Sequence, residues 1–303
     1  MLHVLGAGSL GLLWAARLQQ AGLTCQLLLR DASALQAWQD ADQQLLFEQA
    51  GKPTRLQLDT EIAHSNTCAI ENLIVATKAY AAMPAVESVR HRLRPGSQIL
   101  LLQNGLGAQQ QIADAFADQR VLFASVTDGA WRPQQRHLIW AGRGLTLIGD
   151  PQRQPPPDWL TQLNDGIHWQ WDDDIMAVLW RKLAVNCAIN PFTLLFDCNN
   201  GAVPERAGSW LEDCIGELQL LLAAQRLPGT DTLHASIHEV IRRTADNSSS
   251  MRQDLHARRR TEIDYILGHA CREAQRQQIP TPALTRLWLA SQQRLREYDL
   301  PVD

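Results

Sequence analysis

The sequence predicts an α/β fold in two parts, a mostly parallel sheet domain over residues 1–170 and an all-α domain over residues 171–303. In the first part, short apolar runs alternate with helical stretches, which is typical of sheets whose strands are covered by helices on both faces. These runs lie at residues 4–5, 25–29, 73–76, 99–102 and 121–126. Beyond Asp172 the pattern is helical almost throughout, and a run of prolines at 155–157 precedes this change.

Two local patterns refine the outline. Residues 138–140 and 145–148 flank a glycine-containing turn and predict a hairpin at the end of the first domain. Three aspartates at 172–174 suit the N-terminus of a helix, which we expect to end near Pro191. Further helices are predicted at residues 205–226, 232–244, 252–277 and 282–298.

The composition excludes several classes of protein. Of the 303 residues, 45% are hydrophobic and 20% are charged, as in ordinary globular proteins, and the formal net charge is −4. This balance argues against a nucleic-acid partner, and no apolar run is long enough for a membrane helix. A glycine motif that begins at Gly6 leaves no room for a signal peptide, and the scattered cysteines lack metal-ligand spacing. We therefore expect a cytoplasmic protein with free thiols and no bound metal.

The glycine motif follows the first apolar run directly. Residues 6–11 read Gly-Ala-Gly-Ser-Leu-Gly, which matches GxGxxG, and a helical pattern comes next. Such glycines permit a tight turn, a close approach to a pyrophosphate and close packing of helix on strand. The free amides at the helix N-terminus favour phosphate, so we predict a Rossmann-type dinucleotide site, with a plain glycine turn as the alternative. The residues expected to bind the dinucleotide are Gly6, Ala7, Gly8, Ser9, Leu10 and Gly11.

The second predicted strand ends at Arg30 and Asp31. NAD enzymes normally have a carboxylate here, which binds the ribose 2′-hydroxyl, whereas a guanidinium suits the 2′-phosphate of NADPH. Because Arg30 comes first, we favour NADPH. The alternative is a solvated Arg30, with Asp31 bound to the ribose.

Polar residues follow two later strands. Lys78 and Asn104 both lie where a predicted strand ends, and ligands of open α/β sheets bind at that edge. An ordinary helix-start position for Lys78 and a capping role for Asn104 are the alternatives.

A polar stripe crosses the apolar helix predicted after Asp172. Lys182, Asn186 and Asn190 are four residues apart and therefore share one helix face. Asparagine is a poor helix former, so two of them among apolar neighbours indicate a function, although a solvated face is the alternative. A lysine in such dry surroundings has a lowered pKa and can donate a proton near neutral pH.

Two C-terminal segments are less informative by themselves. The serines at 248–250 are typical of a helix N-cap, and Glu262, within Arg-Thr-Glu-Ile-Asp-Tyr, is equally compatible with a surface charge.

Taken in order, these segments resemble the ketopantoate reductase (2-dehydropantoate 2-reductase) family along the length of the chain. They read GAGSLG, TKAY, QNGLG, WRKLAVNCAINP, NNG, NSSSM and RRTEIDYI. The resemblance implies a Rossmann domain, a helical domain of the 6-phosphogluconate dehydrogenase C-terminal type, and an active site in the cleft between them. It also implies NADPH-dependent reduction of ketopantoate to (R)-pantoate, in the biosynthesis of pantothenate and coenzyme A.

The resemblance further implies roles for individual residues. Lys182 matches the family's catalytic lysine, expected to act as the general acid, and Glu262 its second catalytic residue, a substrate-binding glutamate. The expected substrate-binding residues are Asn104, Lys182, Asn186, Asn190, Asn200, Ser250 and Glu262. Lys78, Asn104 and Ala130 are expected to contact the cofactor, together with Arg30 and the glycine motif.

Two positions depart from the family's pattern, and other functions remain open. Ala81 stands where relatives often have a polar cofactor contact, and Asp128 replaces a neutral or histidine residue near the nicotinamide. The alternatives are a reductase of another small 2-oxo acid and a non-catalytic NADP-sensing module. The expected partner is a small molecule, without nucleic acid or membrane, and a monomer and a homodimer are both compatible with the sequence.

Overall fold

The computed structural model describes residues 1–65 and 68–303. The chain divides into two compact units, Met1–Gln103 with Ala108–Met176, and Asn104–Gly107 with Ala177–Asp303. The first unit combines a largely parallel sheet with helices and the second is helical, which confirms the predicted fold class. The domain boundary at residue 170 stays a prediction.

Within the described residues, the first unit contains twelve strands, four complete α-helices and two short 3-10 helices. The strands are β1 (Leu2–Leu5), β2 (Cys25–Leu29), β3 (Gln44–Gln49), β4 (Lys52–Gln57), β5 (Asp59–Ile62), β6 (Ile70–Val75), β7 (Leu93–Leu101), β8 (Arg120–Val126), β9 (Gly129–Gln134), β10 (His137–Gly142), β11 (Thr146–Gly149) and β12 (Trp169–Trp171). The helices are α1 (Ser9–Gln20), α2 (Ala32–Gln39), α3 (Ala79–Ser88) and α4 (Ala108–Ala115).

The main sheet has the order β12-β11-β8-β7-β6-β1-β2-β5. Its strands from β8 to β5 are parallel, and β11 pairs antiparallel with β8. The chain continues from β1 to β2 on one side and later returns to β6 on the other. Ligands of open α/β sheets bind at the carboxyl ends of strands beside such a switch. The five apolar runs of the sequence correspond to β1, β2, β6, β7 and β8, as predicted.

The predicted hairpin of residues 138–140 and 145–148 is wrong. β10 pairs with β9 and β3 in a second sheet of order β4-β3-β10-β9, whereas β11 joins the main sheet. The intervening Gly144 packs against the backbone of residues 127 and 128, where a Cβ would lie 2.3 Å from the Asp128 nitrogen. This close approach holds the chain as it passes from one sheet to the other.

The second unit is built from helices that begin with α5 (Ile175–Phe196), which starts at the end of the first unit. The others are α6 (Val203–Ala207), α7 (Ser209–Ala224), α8 (Leu233–Arg243), α9 (Ser250–His256), a π-helical segment (Asp264–Gly268), α10 (His269–Arg276) and α11 (Pro282–Arg296). No helix within residues 1–65 and 68–303 has both the length and the apolar character that a bilayer span requires.

Three helix predictions need correction. α5 continues past Pro191 to Phe196, because Phe192, Thr193 and Leu194, directly after the proline, are fully buried. The predicted helix 205–226 is divided at Gly208, whose φ is +54°. The predicted helix 252–277 is divided as well, because Arg258 has a φ of +53° and ends α9.

Candidate functional site

The carboxyl end of β1 leads into the glycine motif of the first unit. Gly6 has a φ of +107°, and a Cβ there would lie 2.8 Å from Thr77 Cγ2. A Cβ on Gly11 would lie 1.9 Å from the carbonyl oxygen of Gly6, so the turn and α1 pack closer than any side chain allows. Gly8 is the N-cap of α1 and supplies no side-chain cap to its first amides. This backbone fits a phosphate-binding cradle.

An arginine that sequence reasoning missed contacts this turn. Arg132 Nη1, on β9, donates to the carbonyl oxygen of Ala7 at 2.8 Å. Ala130, two residues before it, is half-buried and packs against the core of the first unit. Ser9 and Leu10 are also half-buried. Alternation along β9 places Arg132 on the same half-buried face as Ala130, and this period of two was a signal for it in the sequence.

The end of β6 lies beside that of β1 in the sheet. Lys78 follows it as the N-cap of α3 and is half-buried, and Ala81 is half-buried one turn later. Gln103, only 3% exposed, donates through Nε2 to the carbonyl oxygens of Val75 at 2.9 Å and Thr77 at 3.2 Å. Sequence reasoning missed Gln103, which fixes the strand end ahead of Lys78.

Arg30 and Asp31 have different environments at the end of β2. The Arg30 side chain is 92% exposed, and its Nε donates to Asp31 Oδ2 at 2.8 Å. Asp31 caps α2, because its Oδ1 accepts from the amide of Ala34 at 2.8 Å. The Ala34 amide, followed by Arg30, lowers the pKa of Asp31. The carboxylate is thus engaged in capping, while most of the guanidinium surface is open.

Asp128 belongs to a buried network. Its side chain is fully buried, and Oδ1 accepts from Arg17 Nη1 at 3.2 Å, Trp140 Nε1 at 3.1 Å and the Gly144 amide at 3.0 Å. The Arg17 guanidinium also stacks over the Trp140 ring, 4.5 Å from its centroid. This network provides a structural reason for the aspartate at this position.

In the second unit, Lys182 and Glu262 form an electrostatically coupled pair. Lys182 is half-buried on α5 between the buried Leu179 and Leu183. Loss of hydration lowers the pKa of Lys182 to about 8, while the Glu262 carboxylate opposes this shift. Glu262 is only 4% exposed. The ammonium is therefore the main form at neutral pH and can still release its proton.

The asparagines of α5 lie on the same face as Lys182. Asn186 is half-buried and Asn190 is buried. The Thr193 hydroxyl donates to the Asn190 carbonyl oxygen at 2.8 Å and lies 2.6 Å from Ser249 Oγ. Sequence reasoning missed this contact, which connects α5 to the serine segment.

The serine segment begins α9. Ser249 is its N-cap, accepts from the Arg252 amide at 3.1 Å and confirms the capping interpretation for this serine. Ser250, the residue that matches the family, is exposed at the first position of the helix. Asn200 donates through Nδ2 to Thr244 Oγ1 at 2.9 Å, and its buried Oδ1 has no hydrogen-bond partner among the described residues.

Asn104 belongs to the second unit although β7, directly before it, belongs to the first. The Leu106 amide donates to the Tyr265 carbonyl oxygen at 2.9 Å. Gly105, with a φ of +80°, approaches the same carbonyl so closely that a Cβ would lie 2.4 Å from its oxygen. The segment that carries Asn104 therefore contacts Tyr265, which is three residues after Glu262 in the sequence.

The assigned residues separate cleanly between the two units. The first unit contains those expected to bind the cofactor, apart from Asn104. The second contains every residue expected to bind substrate: Asn104, Lys182, Asn186, Asn190, Asn200, Ser250 and Glu262. Within the second unit, the structure couples Lys182 to Glu262 and connects Asn104 and Asn190 to the neighbouring segments.

Comparison with known proteins agrees with these features. Residues 2–153 match the family model described as "Ketopantoate reductase PanE/ApbA", and residues 174–294 match its partner, "Ketopantoate reductase PanE/ApbA C terminal". The chain belongs to the ketopantoate reductase family. The resemblance inferred from the motifs is confirmed.

Relatives in the ketopantoate reductase family cover nearly the whole chain. The 2-dehydropantoate 2-reductase of Yersinia pestis is 33% identical over 304 residues, which cover 98% of this chain and 96% of that protein. The 2-dehydropantoate 2-reductase of Vibrio cholerae serotype O1 is 33% identical over 291 residues, 94% of each chain.

Solved structures of low sequence identity share the fold. A PanE/ApbA family ketopantoate reductase from Ralstonia eutropha JMP134 has a TM-score of 0.86 at 22% identity, over 98% of this chain and 99% of that one. D-mandelate dehydrogenase, in a ternary structure with NADH and anilino(oxo)acetate, has a TM-score of 0.88 at 19% identity, over 99% of each.

Proposed function

We propose that this chain is an NADPH-dependent 2-dehydropantoate 2-reductase that reduces ketopantoate to (R)-pantoate in pantothenate and coenzyme A biosynthesis. The observation that carries the proposal is the coupled pair of Lys182 and Glu262, in a chain whose relatives bear that name. A proton donor next to a buried carboxylate is what reduction of a ketone requires, and a nucleotide sensor has no need of one.

The residues proposed to hold the cofactor are those of the glycine motif with Arg30, Lys78, Asn104 and Ala130. The tight packing at Gly6 and Gly11 supports a phosphate cradle, and when NADPH is bound it supplies a hydride. The capping role of Asp31 supports NADPH over NADH, because that carboxylate is already engaged while Arg30 is exposed. A guanidinium matches a phosphate in charge and in bidentate geometry.

Lys182 is proposed as the general acid. As the ketone carbon is reduced, negative charge develops on its oxygen, which a nearby ammonium stabilises and then protonates. A pKa of about 8 suits a group that is protonated at neutral pH yet gives up its proton readily. Glu262 holds the lysine charged and accepts a hydrogen bond from the substrate hydroxyl.

The remaining polar residues are proposed to orient the substrate. Asn186 and Asn190 offer uncharged donors and acceptors on the face of α5 that carries Lys182, and Asn104 supplies another amide. The buried Oδ1 of Asn200 is suited to accept from a substrate hydroxyl. The exposed hydroxyl of Ser250 is proposed to bind the substrate carboxylate.

The test follows NADPH absorbance with and without ketopantoate, with Lys182→Ala beside the wild type. We expect turnover with ketopantoate and a loss of about 10²- to 10⁴-fold in kcat for the variant, the usual contribution of general acid catalysis. A variant within a few-fold of wild type contradicts the role of Lys182. Turnover confined to other 2-oxo acids in a substrate panel would replace the substrate, and NADPH binding without turnover would indicate a sensing module. A cytoplasmic location remains our expectation from the cysteines.

A further inference from the structure

Two histidines and a glutamate on α7 and α8 form a cluster that includes no residue assigned to cofactor or substrate. His234 and His238 are four residues apart on α8, and their ring centroids are 4.6 Å apart. Glu212 of α7 contacts both, with Oε2 2.7 Å from His234 Nε2 and Oε1 3.1 Å from His238 Nε2. The three potential ligand atoms all lie within 4.8 Å of one another.

We propose that Glu212, His234 and His238 bind a divalent metal ion of the zinc class. Imidazole nitrogen with carboxylate oxygen is a donor set that Zn²⁺ accepts, with a water in the fourth position. Bonds of about 2.0–2.2 Å at a tetrahedral angle place two ligand atoms roughly 3.4 Å apart. Two different oxygens of Glu212 lie 2.7 and 3.1 Å from the two imidazole nitrogens, which are hydrogen-bond distances, so side-chain rotation must move the ligand atoms apart by several tenths of an ångström to admit the ion.

Buried apolar residues fix the backbone of α7 and α8 at the positions from which these three side chains extend. Glu212 is flanked by the buried Leu211 and Ile215 of α7, and the histidines by Leu233 and Ile237 of α8. The outward side chains therefore start from backbones fixed by apolar packing. His234 and Glu212 are exposed and His238 is half-buried, so an ion reaches the cluster from solvent.

A simple hydrogen-bonded cluster is the competing explanation. In that case each imidazole donates from Nε2 to one oxygen of Glu212, and the three side chains need no ion. The two explanations differ in a measurable way, because a metal bridge between α7 and α8 stabilises the folded chain in proportion to metal concentration.

The test is calorimetric titration of ZnCl₂ into the full chain, purified without a histidine tag. We expect one binding event per chain, and a cobalt-loaded sample with the visible absorption of tetrahedral Co²⁺. His238→Ala and Glu212→Gln should both abolish the event and the zinc-dependent rise in the thermal midpoint. Glu212→Gln preserves shape, and both variants should keep the wild-type circular dichroism spectrum without metal.

Two control variants separate this cluster from other zinc ligands. His256→Ala removes an exposed imidazole that is likewise paired with a carboxylate, that of Asp197, but that belongs to no group of three potential metal ligands among the described residues. Cys68→Ser removes the exposed thiol. Both should bind zinc as the wild type does. The proposal is overturned if the wild type shows no zinc-binding event, or if the double variant His234→Ala and His238→Ala still binds zinc as the wild type does. Neither measurement depends on turnover, so the outcome is independent of the proposed reductase activity.

Discussion

Two opposing electrostatic effects set the proton affinity of Lys182. Dry surroundings lower its pKa to about 8, and the Glu262 carboxylate works against that shift. A lysine without the carboxylate would lose its charge at a still lower pH, whereas a lysine in water would hold its proton too firmly to be an efficient acid. The pair thus keeps Lys182 protonated at neutral pH, with a pKa low enough for the ammonium to release its proton.

This balance predicts a change in the pH profile of Glu262→Gln. Because Glu262 raises the pKa of Lys182, its neutralisation lowers that pKa, and the alkaline limb of kcat/KM for ketopantoate should move to lower pH. In the wild type the activity should fall as the pH rises through about 8. Profiles that coincide in their alkaline limbs would show that Lys182 is not the titrating acid. Rescue of the wild-type limb by Glu262→Asp would show that the charge, rather than the shape, is responsible.

Asp128 predicts a stability effect without a catalytic one. Asp128→Asn leaves the Arg17 guanidinium, only 5% exposed at its side chain, without a charged partner. Breaking a buried ion pair in this way costs about 3–5 kcal/mol. Urea denaturation should show this loss in the free energy of unfolding. The exposed pair of Glu239 and Arg242 is the matched control, and Glu239→Gln should leave the denaturation midpoint nearly unchanged.

Individual residues also mark the limit of sequence reasoning. Lys182 and Glu262 were accessible through helix spacing and family resemblance. The contacts of Gln103 and Arg132 and that of Thr193 with Ser249 were not, because each depends on a partner far away in the sequence. The same holds for the cluster proposed to bind metal, whose glutamate lies on a different helix from its histidines. The expectation of no metal was based on the spacing of the cysteines and did not consider these histidines.

At the scale of elements, the break between α9 and α10 determines where Glu262 lies. In a continuous helix over residues 252–277, the 3.6-residue repeat alone would determine the helix face on which Glu262 lies. Instead α9 ends at His256, and the chain passes Glu262 before it enters the π-helical turn at Asp264–Gly268. Such turns recur at functional sites in proteins. The Tyr265 carbonyl in this turn accepts from Leu106 and is the atom that Gly105 approaches.

That contact predicts a high cost for Gly105→Ala. The new Cβ meets the Tyr265 carbonyl oxygen at 2.4 Å and also forces a side chain into a φ of +80°. Gly229→Ala, in the same unit, shares the positive φ, at +76°, but its Cβ meets only ordinary contacts at 3.5 Å and beyond. The control should lose about 1 kcal/mol from strain alone, and Gly105→Ala clearly more. If urea denaturation showed equal losses in the free energy of unfolding for the two variants, the close approach of Gly105 to Tyr265 would contribute nothing to stability.

The second sheet was not predicted, because burial alternates along its strand β3 although the sequence there, Gln-Leu-Leu-Phe-Glu-Gln, does not alternate between polar and apolar residues. Residues 44–49 alternate, with Leu45 and Phe47 buried and their neighbours half-buried, and Gly51 then turns the chain into β4. This is the period of a strand with one covered face. The hairpin error at residues 138–148 has another cause. Strand pattern and turn residues were both present, but β11 pairs with a strand more than twenty residues earlier, which no local pattern contains.

At the scale of the whole molecule, the residues proposed to bind cofactor and substrate are distributed between the two units, and Asn104 of the second unit is proposed to bind both. The first unit contains the tightly packed glycine motif at a sheet edge, and the second contains the coupled Lys182 and Glu262. Composition and periodicity predicted the two fold types, because each depends on local hydrophobic pattern. Assignment of Asn104 to the second unit could not be predicted, because it depends on contacts of residues 105–107 with Tyr265 and His269, far away in the sequence.

This distribution predicts that the two binding events can be weakened independently. Arg30→Ala should weaken NADPH binding by about tenfold or more through loss of a charge-assisted phosphate contact, and should leave NADH binding unchanged. Its KM for ketopantoate, measured at saturating NADPH, should equal that of the wild type.

Asn190→Ala should show the opposite pattern, with a raised KM for ketopantoate and an unchanged calorimetric affinity for NADPH, since Asn190 belongs to the second unit. If Arg30→Ala weakened NADH and NADPH equally, the arginine would act on the fold of the glycine motif and not on the 2′-phosphate. If Asn190→Ala weakened NADPH binding in the absence of substrate, Asn190 would belong, like Asn104, to the cofactor-binding residues of the second unit.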